Sequence, residues 1–350
     1  MRFATAMLVA VLLTFAPASA TPRPGAEFSS ADAGLKWING YRAKPDLAHV
    51  PAAMLSLSHL GAFHDPESSG IYVGFIAGVL GANPTKAEAL MTRLLALPTA
   101  DHWVLVRAAA YSGLPDWKDL LRKFAPRLPT RQTMIQRYLD DKLPTLDHVV
   151  LEEKPTLLEK LKRSVSVPSL FSSKEPKTDK AAAIETNPEL LDTLWGYYFA
   201  SGAYGPIARI ITLLPLSKDR DSAEKLMVGS MAKYTLASNA THDTELLAML
   251  KGVVRQEPKE TAAILDDVID AAETVQTSRI RQDALAAVDD LKRKGPGSKQ
   301  DASFWGQVGQ GALALGCVAA AAAGQAEFGL PCVIGGAASS AALNFWSSQP

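Results

Sequence analysis

Apolar residues return every three or four positions along most of this chain, and Pro or Gly interrupts the pattern at short intervals. In residues 83–98, Ala87, Leu90, Met91 and Leu94 share one face, with Asn83 placed to cap, Pro84 in the first turn and Pro98 as the stop. DHWVLVRAAAYSG predicts a second helix, capped by Asp101 and stopped by Gly113, and residues 116–129 a third, cut by two prolines. TNPELLDTLWGYYFASG opens a further series, with Thr186 and Glu189 as a capping box and Gly202 as the stop. The stripes that follow are Ile207, Ile210, Ile211 and Leu214; Ala223, Leu226, Met227, Ser230, Met231 and Tyr234; Leu246, Leu247, Leu250 and Val254; and Ile264, Leu265, Val268 and Ile269. Ile280, Ala284, Ala287, Val288 and Leu291 mark the last of these helices. Each is expected to bury a single apolar stripe.

No window shows the sustained β-branched alternation that a sheet needs, so the fold class is all-α. Helices with one stripe bury it by stacking on neighbours, which predicts an irregular helical array or α-solenoid-like body. A loose echo joins FIAGVLGANPTKAEALMTRLLALP to YYFASGAYGPIARIITLLP: an aromatic helix, a Gly-to-Pro turn, and a second helix ending in leucines before proline. SVSVPSLFSSKEPKTDKAAA has no period and is rich in Ser, Lys and Pro, so it reads as a linker. The chain therefore divides into a signal peptide (1–20), a Pro/Gly/Ser-rich leader (21–30), an N-terminal helical half (31–164) and a linker (165–183). A C-terminal helical half (184–294), a second linker (295–301) and an Ala/Gly-rich apolar hairpin (302–350) complete it.

The signal peptide rests on Arg2, an apolar run ending near Phe15, and small residues at Ala18 and Ala20 before the predicted cut at Thr21. It predicts an exported protein, periplasmic or secreted. Export in turn makes Cys317 and Cys332 a disulfide pair rather than a metal or redox pair. Lys plus Arg and Asp plus Glu both number 36, so no net field draws the chain to nucleic acid.

The hairpin carries no charge from Ala302 to Ala326 or from Phe328 to the end, yet its strongly apolar content falls short of a spanning helix. Ala312, Gly316, Ala320 and Gly324 recur every four residues and clear a groove for a second helix. A turn at Gly329, Leu330 and Pro331 would bring Phe304 and Trp305 level with Phe345 and Trp346, an arrangement suited to a lipid interface beside Lys292, Arg293 and Lys294. The competing expectation is soluble packing, against the helical body, a protein partner or a second copy of the chain.

Chemistry-bearing motifs are sparse. No zinc-protease, P-loop, nucleotide or nucleophile-elbow pattern occurs, and nothing calls for a cofactor. SHLGAFHDPE is the nearest approach to a metal site, with His59, His64 and Asp65 gathered if the chain turns at Gly61. His102, sharing a face with Leu105, Val106 and Ala109, is expected to satisfy itself on a backbone carbonyl. His242 lies among capping residues, Thr241 and Asp243.

LWGYYFASGAY collects aromatic surface, and Trp195, Tyr197 and Tyr204 are the candidates for binding a partner. Against this, Leu191, Leu194, Trp195 and Tyr198 form a stripe suited to a core, which leaves Tyr197 as the ring most exposed. The function expected from these features is that of a non-enzymatic interaction or scaffold protein of the bacterial envelope, with the hairpin touching a partner or lipid. A periplasmic hydrolase-type enzyme without a recognisable motif and a secreted membrane-active protein are the alternatives.

Overall fold

The computed structural model describes residues 27–146 and 188–275, with positions 279, 280, 282, 283, 286, 290 and 293 beyond them. Every regular element among the described residues is helical, so this part of the protein is all-α. The signal peptide, both linkers, the whole of 302–350 with Cys317 and Cys332, and the aromatic residues Phe304, Trp305, Phe345 and Trp346 lie outside the described residues. Among the described residues no helix is long and apolar enough to cross a membrane.

Among the described residues seven helices lie before position 147: α1 Ala31–Gly40, α2 Val50–His59, α3 Gly70–Ala82, α4 Ala87–Leu94, α5 His102–Tyr111, α6 Trp117–Phe124 and α7 Gln132–Leu139. Within the described stretch 188–275 there are five more: α8 Pro188–Ser201, α9 Tyr204–Thr212, α10 Ala223–His242, α11 Thr244–Val253 and α12 Lys259–Glu273. Short stretches of tighter helix, such as Leu214–Lys218, join several of them. Gly113 and Gly202 act as the expected stops of α5 and α8, each with a positive φ (69° and 67°) that other residues adopt at a cost.

One hydrophobic cluster draws on both halves, and its centre is the contact between α3 and α8. Here the expectation of one stripe per helix fails. Every residue of α3 from Gly70 to Leu80 is buried, as are Leu190 to Gly196 of α8, because each helix is covered on several sides by others. Successive turns of α3 present glycine to α8: a methyl on Gly74 would collide with the Thr193 carbonyl, and one on Gly78 would lie 2.6 Å from the Tyr197 carbonyl. From the other side, a methyl on Gly196 would collide with the Ile71 carbonyl. The two backbones touch where side chains would otherwise hold them apart. The helices that open the two echoing segments are thus the pair that meets at the centre.

Strong polar groups fasten the remaining helices across this centre. Arg42, on the turn after α1, donates to Asp243 at 2.5 Å and to Glu245, both at the start of α11. Tyr198 donates to the same Asp243 oxygen at 2.8 Å, and the guanidinium lies 4.9 Å from its ring centre. Burial works against the Arg42 charge, but Tyr198, Asp243 and Glu245 together raise its pKa. The second Asp243 oxygen caps α11 by accepting from the Glu245 and Leu246 amides. Arg107 of α5 pairs with Glu189 of α8 in the same manner.

Candidate functional site

The expected site residues are dispersed. His59, His64 and Asp65 are all exposed, and among the described residues no three His, Cys, Asp or Glu side chains are grouped to hold a metal. His102 is buried with Nε2 at 2.9 Å from the Leu97 carbonyl, the backbone partner expected for it. Asp101 does not cap α5; it is buried and accepts from the Ser58 hydroxyl at 2.5 Å. Asn83 likewise caps nothing with its side chain, which donates to the Val79 carbonyl.

The aromatic surface resolves into core. Trp195 is fully enclosed, stacks on Phe199 at 5.6 Å and donates to the Thr235 hydroxyl at 3.0 Å. Tyr197 is half-buried rather than free, its hydroxyl donating to the Ser112 carbonyl at 2.8 Å. Tyr204 alone of the three shows a substantial face, 40% exposed.

Asp192 was not foreseen. It is 2% exposed beside the α3–α8 contact, and its Oδ1 has no hydrogen-bond partner among the described residues. Burial raises its pKa well above the ordinary carboxylate value of 3.8, and the nearby Glu189 charge adds to the rise. An unpaired carboxyl oxygen at this depth is a cost to folding.

A cleft of about 180 Å³ lies instead between α10, α12 and the Leu214–Lys218 turn. Gly229 makes it. A side chain there would strike the Ser217 amide, so its absence lets the turn settle on α10 and sets Ser217 and Lys218 beside Ser230 and Lys233. Ser222 then caps α10, while Asp219 accepts from the Asp221 and Ser222 amides at 2.8 Å and fixes the loop that carries Arg220.

The opposite wall is α12. Lys233 crosses to Asp267 at 2.9 Å with only 14% of its side chain exposed, and Arg279 reaches Asp270 at 3.0 Å and Asp267 at 3.8 Å. Ile264 and Ile280, both buried, supply apolar surface, and Asp283 closes the lining. Two cations and two carboxylates thereby satisfy each other. Lys218 and Asp283 have no ion-pair partner among the described residues, and Arg220 reaches only backbone carbonyls, of Asp219 at 2.9 Å and Ser217 at 3.4 Å. The cleft thus offers unpaired charge of both signs beside an apolar patch.

Sequence reasoning missed this site because its parts come from separate elements and match no motif. The one local signal was Gly229 inside the α10 stripe, since a helical glycine between apolar positions marks a close approach. No family model, curated protein or solved structure matches the chain.

Proposed function

We propose that the chain is an exported, non-enzymatic interaction protein of the bacterial envelope. In this reading the two helical halves form a solenoid-like scaffold. The hairpin of 302–350, closed by Cys317 and Cys332, attaches that scaffold to a protein partner or to lipid. The observation that carries the scaffold role is the Arg42 bracket. It locks a turn of the first half onto the start of a helix in the second, so the partly buried charge serves to hold a rigid body together.

The test exports the full chain and a version ending at Gln300 from a bacterial host, then fractionates membranes, cross-links, and counts free thiols. Retention of the full chain alone on membrane or on a cross-linked partner, with no free thiol, is the expected result. Equal release of both versions, with no tail-dependent cross-link, would overturn the attachment role.

The cleft favours one further reading, a hydrolase-type enzyme, because Ser230, Lys233 and Asp267 converge there. That reading requires turnover of an ester or amide substrate which Lys233→Met abolishes without loss of folding.

A further inference from the structure

Beyond attachment, and whether or not the hairpin meets lipid, the cleft of the helical body has the chemistry of a ligand site. Its size comes first. Pockets for drug-sized molecules run from roughly 300 to 1,000 Å³, so a cleft of about 180 Å³ admits only something smaller.

Charge then narrows the class. The ion pairs Lys233–Asp267 and Arg279–Asp270 balance internally, leaving Lys218 and Arg220 on the loop side and Asp283 on the other. A simple anion would answer the two cations and leave Asp283 unpaired. A simple cation would do the reverse. A molecule carrying both a carboxylate and an ammonium answers both, and Ile264 and Ile280 receive a short apolar part.

We propose that this cleft binds a small apolar zwitterion, its carboxylate at Lys218 and Arg220, its ammonium at Asp283, and its hydrocarbon against Ile264 and Ile280. Two sources share that chemistry: a free amino acid of the leucine type and the end of a short peptide. Arg220 suits the carboxylate because its planar fork has donors left after the carbonyl contacts are made. Ser217 does not compete for the ligand, since its hydroxyl already donates to the Leu214 carbonyl at 2.7 Å.

The experiment is calorimetric titration of the purified full chain with L-leucine, dileucine, isovalerate and isoamylamine. Isovalerate keeps only the carboxylate and isoamylamine only the ammonium. Leucine or dileucine should bind with a Kd of about 1 mM or tighter, and both single-charge analogues at least about tenfold more weakly. Preference for leucine identifies a free amino acid as the ligand class, and preference for dileucine a peptide end.

Lys218→Met and Asp283→Asn should each weaken the better ligand about tenfold. Both residues are exposed, so the unfolding midpoints should stay within about 1 °C of the parent and separate lost binding from lost folding. Absence of heat from leucine and dileucine at about 10 mM overturns the proposal, as does isovalerate or isoamylamine binding as well as leucine. Retained affinity in both variants overturns it too.

Discussion

The α3–α8 joint and the α10–α12 seam show two opposite ways of bringing helices together. At the first, glycine replaces side chains and backbone meets backbone, leaving neither water nor room between Gly74 and Thr193. At the second, Lys233 spans the gap to Asp267, and the space it bridges remains open as a cleft. Close packing fixes geometry and excludes a ligand, whereas a seam of long charged side chains holds the helices more loosely and leaves a site. The place to look for recognition is therefore away from the best-packed part of the molecule.

The hardest blow to this contrast is Gly74→Ala. The new methyl has only the Thr193 backbone to push against, so the two helices must separate, and a loss of about 3 kcal/mol or more is expected in urea unfolding. If the loss were under about 1 kcal/mol, the dry joint would be no tighter than the seam.

Arg42→Met comes next. Its pair with Asp243 is partly shielded, at 24% and 19% side-chain exposure, which places the cost between those of surface and buried pairs, at about 1–2 kcal/mol. High salt should shrink that difference, because some of the attraction passes through solvent.

Asp192→Asn should act in the other direction. The native-state pKa of Asp192 is raised, so folded and unfolded chains are both protonated well below pH 3.8, and the residue then costs nothing through ionisation. As pH rises past 3.8 the unfolded chain ionises first, and stability falls until the native pKa is passed. The Asn variant should therefore be more stable than the parent at neutral pH, by an amount that closes towards pH 4. Parallel unfolding midpoints across that range would show that Asp192 is not a stressed carboxyl.

The smallest effect belongs to the seam itself. Lys233→Met should change stability by less than about 1 kcal/mol, since Asp267 is half exposed and keeps Arg279 nearby. A cost as large as that of Gly74→Ala would erase the distinction between the two regions.

What could be read from sequence follows the range of the interactions. The α4 stripe Ala87, Leu90, Met91 and Leu94 is buried as its spacing predicts, and His102 finds a carbonyl. These are local patterns, set within one or two helical turns. The α3 glycines were also visible: Gly70, Gly74 and Gly78 repeat at four-residue spacing, as do the small residues at Ala312, Gly316, Ala320 and Gly324. Small residues mark a close approach without naming the partner helix, and nothing in the composition of α3 points to α8.

Trp195 shows the converse limit. Its stripe correctly indicated a core, but the Thr235 hydroxyl that satisfies its indole lies in a different helix. The cleft was further out of reach still, because Lys218 and Asp283 stand on separate elements and become neighbours only after folding.

The enclosure of α3 also bears on the order of synthesis. Residues 70–82 leave the ribosome well before residues 188–201, so a helix apolar around its whole circumference must wait for the partner that covers it. Local turns such as Ala87–Leu94 can form early, but the centre closes only when the later half arrives, and contacts this distant in sequence slow folding. Until then α3 is an adhesive surface, at risk of binding other nascent chains. A chain built this way gains from being kept apart from other chains until residues 188–201 are available to cover residues 70–82.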